Sequence, residues 1–235
     1  MYPIVETFYS LQGEGAYAGT AAFFIRIAGC PVQCEFCDEK RSWNTASHAI
    51  KTAEQIAAEA EVKIEAEIKT EIKTEAKTNA KVKQKTAIIT GGEPTIHNLA
   101  PLTAALKAKN IRTHLETAGI KPLTGTWDYI TLSPKRTTPP LEMYYAKANE
   151  IKVIIETEND FIFAEQQRLL VEKQHPLIEQ QKPLSEQHHE PRRTKFYLQP
   201  EWNNHTAITP VIIDYIKQNP QWQLSLQTHK YLDIR

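Results

Sequence analysis

TAAFFIRIAGCPVQCEFCD, residues 20–38, reads as an apolar, aromatic strand (residues 20–28) that runs through Gly29 into Cys30, Cys34 and Cys37. These three are all the cysteines of the chain, and they lie within eight residues. An odd number so closely spaced excludes a disulfide framework, and a reducing compartment keeps such thiols free. Metal ligation by a loop at the carboxyl end of a strand is the natural reading.

Composition sets the frame around that loop. The 235 residues, 41% hydrophobic, 24% charged and 9% aromatic, suit one domain spanning residues 1–235 with insertions. Lys+Arg and Asp+Glu balance at 28 each, which excludes a generally polybasic nucleic-acid binder. The apolar run at residues 21–25 ends at Arg26, far short of a membrane span, and residues 1–6 lack a signal-peptide pattern. The expectation is a soluble cytoplasmic protein with no membrane or nucleic-acid partner.

A helix is expected after Ser47, with Thr52 as N-cap and Ile50, Ile56, Ala57 and Ala60 on its apolar face. Residues 61–85 are low complexity, with Glu-X-Lys-Thr recurring every four residues. They are expected to form a solvated insertion that prolongs this helix or makes an outlying hairpin, a partner surface being the alternative. Residues 86–90 read as a buried strand ending in Gly91-Gly92-Glu93-Pro94, and residues 99–107 as a helix. Further strands are expected at residues 111–116, 129–132 (ending in Ser133-Pro134-Lys135), 150–155, 196–198 (ending in Gln199-Pro200-Glu201) and 222–226. Helices are expected at 160–170 and 207–217. Residues 174–193, polar and Pro-punctuated, read as a second surface insertion, with His188 and His189 in solvent. This alternation predicts an α/β fold, an incomplete TIM-like barrel of six or seven parallel strands with helices outside. Its ligand loops belong at the strands' carboxyl ends.

Three cysteines on one short loop can hold three irons of a [4Fe–4S] cluster while the fourth stays open, whereas a zinc site would need a further ligand such as His48. The X3–X2 spacing, with Phe36 just before Cys37, resembles the signature of radical S-adenosylmethionine enzymes. In that family the open iron takes the amino and carboxylate groups of S-adenosylmethionine. Gly91-Gly92-Glu93 resembles the family's GGE motif, which contacts the methionyl group. Ser133-Pro134-Lys135 and Gln199-Pro200-Glu201 either hold the ribose and adenine or are ordinary turns.

Both ends of the chain narrow the resemblance. ETFYSLQGEG (residues 6–15), FIR (residues 24–26) and LQTHKYL (residues 226–232) are similar to the 7-carboxy-7-deazaguanine synthase family of queuosine biosynthesis. This resemblance implies radical ring contraction of 6-carboxy-5,6,7,8-tetrahydropterin, with loss of ammonia and regeneration of S-adenosylmethionine. It implies that Leu11, Gln12, Gly13, Glu14, Arg26, Thr90, His229 and Arg235 contact the pterin. Phe36, Cys37, Asp38, Gly92, Ser133, Pro134, Lys135 and Gln199 would contact the cofactor. A homodimer and an external flavodoxin-like or ferredoxin-like electron donor are implied too. His229 is otherwise a surface residue on the terminal strand.

Two departures stand out. Glu39 replaces the Thr whose hydroxyl helps ligate Mg2+ in many members; either its carboxylate, itself a hard-ion ligand, takes the ion directly, or its longer charged side chain excludes that geometry. The sequence ends Asp233-Ile234-Arg235 where members often end in proline. The rival activities are a glycyl-radical activase, with the same cysteine spacing, and a non-catalytic iron–sulfur electron carrier.

Overall fold

A computed structural model describes residues 1–71, 85–181 and 194–235. In chain order the elements are β1 (Tyr2–Leu11), β2 (Ala21–Ile27), β3 (Ala49–Lys51), α1 (Ala53–Glu71), β4 (Thr86–Gly91), α2 (Ala100–Ala108), β5 (Arg112–Thr117) and β6 (Tyr129–Leu132). They continue with α3 (Met143–Lys147), β7 (Glu150–Ile155), α4 (Asp160–Gln181), β8 (Lys195–Pro200), α5 (His205–Gln218), β9 (Trp222–Leu224) and α6 (Thr228–Tyr231). The strands form one sheet ordered β3-β1-β2-β4-β5-β6-β7-β8-β9. From β2 to β9 every neighbouring pair is parallel, which is the expected incomplete barrel, open between its edges.

Period-two alternation divides each parallel strand between two environments. Phe23, Ile25 and Ile27 of β2, Ala87 and Ile89 of β4, and Ile151, Val153 and Ile155 of β7 join the main core. That core lies under the helices, which contribute Ile56, Ala57, Ala60 and Ile64 of α1, Leu102 and Leu106 of α2, and Ile208 and Ile212 of α5. The alternate residues face the other way: Phe24, Arg26, Ile88, Thr90, Glu116, Lys152 and Ile154 line a cavity. Arg26 and Thr90 stand side by side in the register of β2 and β4.

Several local expectations are corrected. Strands β1 and β3 were not anticipated; both pair antiparallel, β1 joining β2 to β3. Ile50 lies on β3, 53% exposed, and takes no part in the helix face. Helix α1 does begin after Thr52, whose Oγ1 accepts the Gln55 N–H at 3.2 Å while Gln55 Oε1 accepts the Thr52 N–H at 2.8 Å. The low-complexity stretch prolongs α1 as far as Glu71, and residues 72–84 lie outside the described residues. The second polar stretch opens as helix, because α4 runs on to Gln181, its Gln and Glu residues being good helix formers. Residues 182–193, with His188 and His189, lie outside the described residues. Strand β9 stops at Leu224, so His229 falls on α6 and not on a terminal strand.

The turn after β4 meets the chain leaving β2 at backbone distance. Gly92 N–H donates to the Ile27 carbonyl at 2.8 Å and Glu93 N–H to the Gly29 carbonyl at 2.7 Å. A Cβ at Gly91, where φ is +126°, would lie 2.2 Å from the Ile27 oxygen, and one at Gly92 would lie 2.3 Å from the Gly29 oxygen. Gly91→Ala is therefore expected to destabilise the fold by about 2 kcal/mol or more. Urea unfolding checks this, and a midpoint equal to that of the unchanged protein would contradict it.

Candidate active site

The loops after β2, β4, β6 and β8 open with both chain ends onto a cavity of about 450 Å3. Cys30, Cys34 and Cys37 are free, half-buried and line it together. Cys37 N–H donates to the Cys34 carbonyl at 3.1 Å, and Gln33 takes a left-handed φ of +49° to turn the loop. Burial pushes the Cys34 thiol up, and the Lys135 ammonium opposes that shift. The same loss of water lowers Lys135, with Cys34 pulling the other way. Lys135 Nζ donates to Ser133 Oγ at 2.6 Å and lies 5.8 Å from the centre of the Phe36 ring. Phe36, Asp38, Gly92, Ser133, Lys135 and Gln199 all line the cavity, whereas Pro134 is buried and does not. Gln199 is buried and accepts the Ser225 hydroxyl at 2.8 Å.

The two chain ends close against each other. Thr228 donates to the Gly13 carbonyl through its N–H (2.9 Å) and its hydroxyl (3.0 Å). His229 packs so tightly on Gly13 that a Cβ there would lie 2.0 Å from its Nδ1. Gln227 donates to Glu14 at 3.0 Å, and Lys230 pairs with Asp38 at 2.6 Å, tying the C-terminal segment to the cysteine loop as well. Leu11, Gln12, Gly13, Glu14, Arg26, Thr90, His229 and Arg235 share the cavity with the cysteines. Burial lowers His229, with Glu14 opposing, which favours the neutral ring.

Sequence reasoning missed two charged groups of the inner face, Lys152 and Glu116. Lys152, 5% exposed, pairs with Glu14 and, at 3.1 Å, with Glu116. Its burial disfavours the ammonium, but Glu116, Glu14 and Glu150 outweigh that and raise it. Burial pushes Glu14 up too, yet the Lys152 charge and hydrogen bonds from Lys152 and Gln227 bring it down to about 2. In Glu116 burial wins: against Lys152, and helped by Glu150 and Glu14, it goes up to about 7. Gln12 Nε2 donates to Glu116 at 3.1 Å. The signal was present in residues 150–155, where Glu and Lys share one face of an otherwise apolar strand. Glu93, 2% exposed, accepts the Thr95 N–H (3.0 Å), the Ala118 N–H (2.7 Å) and the Thr117 hydroxyl, so it braces the loops.

Glu39 is held by guanidinium groups. Arg41 donates to both its oxygens at 2.9 Å, and Arg26 lies at 3.4 Å while also donating to Glu6 at 3.1 Å. Arg235 approaches Glu6 at 3.8 Å. A carboxylate clamped in this way does not fit the role of a magnesium ligand. Among the described residues no three His, Cys, Asp or Glu side chains, the three thiols included, converge on the position of one metal ion, and His48 Nε2 is engaged with the Arg41 carbonyl at 2.9 Å. The zinc alternative has no fourth ligand there.

A family model described as the Radical SAM superfamily matches residues 24–135. The 7-carboxy-7-deazaguanine synthase of Flavobacterium psychrophilum is 42% identical over 100% of this chain and 93% of its own. That of Synechocystis sp. is 43% identical, over 100% and 94%. The crystal structure of QueE from Escherichia coli superposes with a TM-score of 0.64 at 27% identity, covering 96% of this chain and 93% of the other.

The raised Glu116 carboxyl has a consequence for stability. The folded state binds its proton more tightly than the unfolded state, so its stabilising contribution is full below the usual 4.5 and is lost as pH rises through about 7. Glu116→Gln is expected to flatten the fall in melting temperature between those two values. An unchanged profile would contradict the assignment.

Proposed function

The chain belongs to the 7-carboxy-7-deazaguanine synthase family, and from that premise we propose that it converts 6-carboxy-5,6,7,8-tetrahydropterin to 7-carboxy-7-deazaguanine with loss of ammonia. It is a radical S-adenosylmethionine enzyme, a lyase of queuosine biosynthesis. The observation that carries the substrate reading is the shared cavity: three thiols on one loop face the same space as Arg26, Thr90 and the two closing chain ends.

The donor set fits a four-iron cluster. Cys30, Cys34 and Cys37 would hold three irons, and with no fourth cysteine in the chain one iron stays open for S-adenosylmethionine. When bound, this pair supplies one-electron cleavage of the sulfonium and a carbon radical that removes hydrogen from the substrate. Phe36, Asp38, Gly92, Ser133, Lys135 and Gln199 are positioned to surround the cofactor, with Pro134 buried behind them. Lys135 brings positive charge beside the negatively charged cluster ligands.

On the pterin side, Arg26 meets Glu6 and Glu39 through Nε, and its terminal guanidinium nitrogens would suit a planar carboxylate beside Thr90, 5.9 Å from the centre of the Phe8 ring. Gln12 is fixed by its bond to Glu116, and Glu14 by Lys152 and Gln227, so little ordering remains to be done on binding. Burial raises Glu116 to about 7, so this lining carboxyl would be able to hold a proton near neutral pH. Leu11, His229 and Arg235 complete the wall. No step is derived through magnesium, because Glu39 is committed to Arg41 and Arg26.

An external flavodoxin-like or ferredoxin-like protein would supply the electron, and the chain would work as a cytoplasmic homodimer. No helix among the described residues is long and apolar enough to cross a membrane.

Anaerobic reconstitution with iron and sulfide, reduction, and mass spectrometry of products test the proposal. Carboxytetrahydropterin should give 7-carboxy-7-deazaguanine without stoichiometric loss of S-adenosylmethionine, and a chelator of Mg2+ should leave the rate within about twofold. Arg26→Ala should raise the KM for the pterin about tenfold or more while sparing cofactor cleavage. Cofactor cleavage with no pterin product would sink the substrate reading, and equal losses in both activities would sink the role of Arg26.

A further inference from the structure

We infer that the Ser225 hydroxyl is a positioning group: it turns the amide NH2 of Gln199 toward the cofactor side of the cavity and fastens the loop after β1 to the same point. The inference rests on the function proposed above. Ser225 follows β9 and is 2% exposed, as is Gln199 near the end of β8. Its backbone N–H donates to the Leu198 carbonyl at 2.9 Å, which sets it beside Gln199. The hydroxyl donates to Gln199 Oε1 at 2.8 Å and accepts the Gly15 N–H at 3.0 Å. The next amide of that loop, Ala16 N–H, donates to the buried Glu150 carboxylate at 3.0 Å, so the turn after Gln12, Gly13 and Glu14 is fastened at two successive residues.

A hydroxyl has one hydrogen to give. With the Gly15 N–H pointing at the Ser225 oxygen, that hydrogen goes to Gln199, and the amide presents its oxygen to Ser225. A reversed amide would set NH2 against the hydroxyl oxygen and leave the buried hydroxyl hydrogen without an acceptor, an arrangement that native structures avoid. Gln199 lines the cavity, and its Nε2 has no hydrogen-bond partner among the described residues. The side-chain atoms there that are both buried and unpartnered are Trp43 Nε1 and His114 Nε2, so Gln199 Nε2 is an accessible donor. It therefore meets a ligand atom that accepts, such as a purine ring nitrogen or a ribose oxygen of S-adenosylmethionine. Ser225 does not line the cavity itself. Its one hydroxyl nevertheless fixes both a donor for the cofactor and the backbone that carries Gln12, Gly13 and Glu14 to the pterin.

Anaerobic calorimetry of the reconstituted full chain, its cluster left oxidised so that nothing turns over, measures binding of S-adenosylmethionine and then of carboxytetrahydropterin. At equal iron and sulfide content, Ser225→Ala should weaken each ligand about fivefold. In a Gln199→Ala background the same change should weaken S-adenosylmethionine less than about twofold, because Ser225 reaches the cofactor through that amide, while the pterin should still lose about fivefold. Unchanged affinity for either ligand in Ser225→Ala, or equal cofactor losses with and without Gln199, overturns the inference. Should Ser225→Ala fail to fold, amide hydrogen exchange of the unchanged chain decides instead. Gly15 N–H should be protected about a hundredfold over an open loop amide, and more so with S-adenosylmethionine bound. An unprotected Gly15, or protection indifferent to S-adenosylmethionine, overturns the inference. An unchanged protein that binds neither ligand overturns the proposed function and this inference together, whereas binding of both without these effects leaves the proposed function standing.

Discussion

The backbone pairing between the chain leaving β2 and the chain leaving β4 is the constraint on which the site depends. Gly92 and Glu93 donate to the carbonyls of Ile27 and Gly29, and no side chain fits between these segments. The contact fixes where β2 delivers Cys30. Gly29 and Cys30 in turn donate to Ser42 and Trp43, so the cysteine loop is pinned at both of its ends. The buried carboxylate of Glu93 extends the same brace to the end of β5 through Thr117 and Ala118. A short loop that carries three cysteines takes its fixed position from this support, since within it the backbone bond is that of Cys37 N–H to the Cys34 carbonyl.

The second wall of the cavity comes from segments far apart in sequence. The loop after β1 and the segment after β9 meet through Gly13 and Thr228, with His229 stacked where a side chain on Gly13 would otherwise be. Lys152 then holds Glu14 toward the sheet while Gln227 holds it from the C-terminal side. Lys152 and Gln227 bring Glu14 down to about 2 against its burial, whereas burial raises Glu116 to about 7 against the same ammonium. One buried pocket thereby sets two chemically equal groups well apart in acidity.

Much of this was legible in the sequence, and the exceptions have physical causes. The cysteine loop and the parallel strands beside it announced themselves because β2, β4 and β6 are largely apolar runs that lead into Gly-Cys, Gly-Gly and Ser-Pro. Strand β1 escaped notice because both its faces are partly covered, which gives Glu6, Thr7, Tyr9 and Ser10 no clean alternation of burial. Strand β3 is three residues long and α6 four, too short for any period to show. Glu116 and Lys152 looked like ordinary strand residues, since their partners Glu14 and Gln12 lie more than 100 residues away from them in the chain. At Glu39 the sequence left both ligation and exclusion of an ion open, because its contacts with Arg41 and Arg26 are a matter of three dimensions.

The central claim is that three thiols leave one iron of a four-iron cluster open toward this cavity. Pulsed EPR of the reduced, reconstituted protein with S-adenosylmethionine carrying 15N in its amino group and 13C in its carboxylate tests that claim most directly. The account predicts coupling of both nuclei to the cluster. A cluster spectrum indifferent to S-adenosylmethionine, with neither coupling resolved, would contradict it.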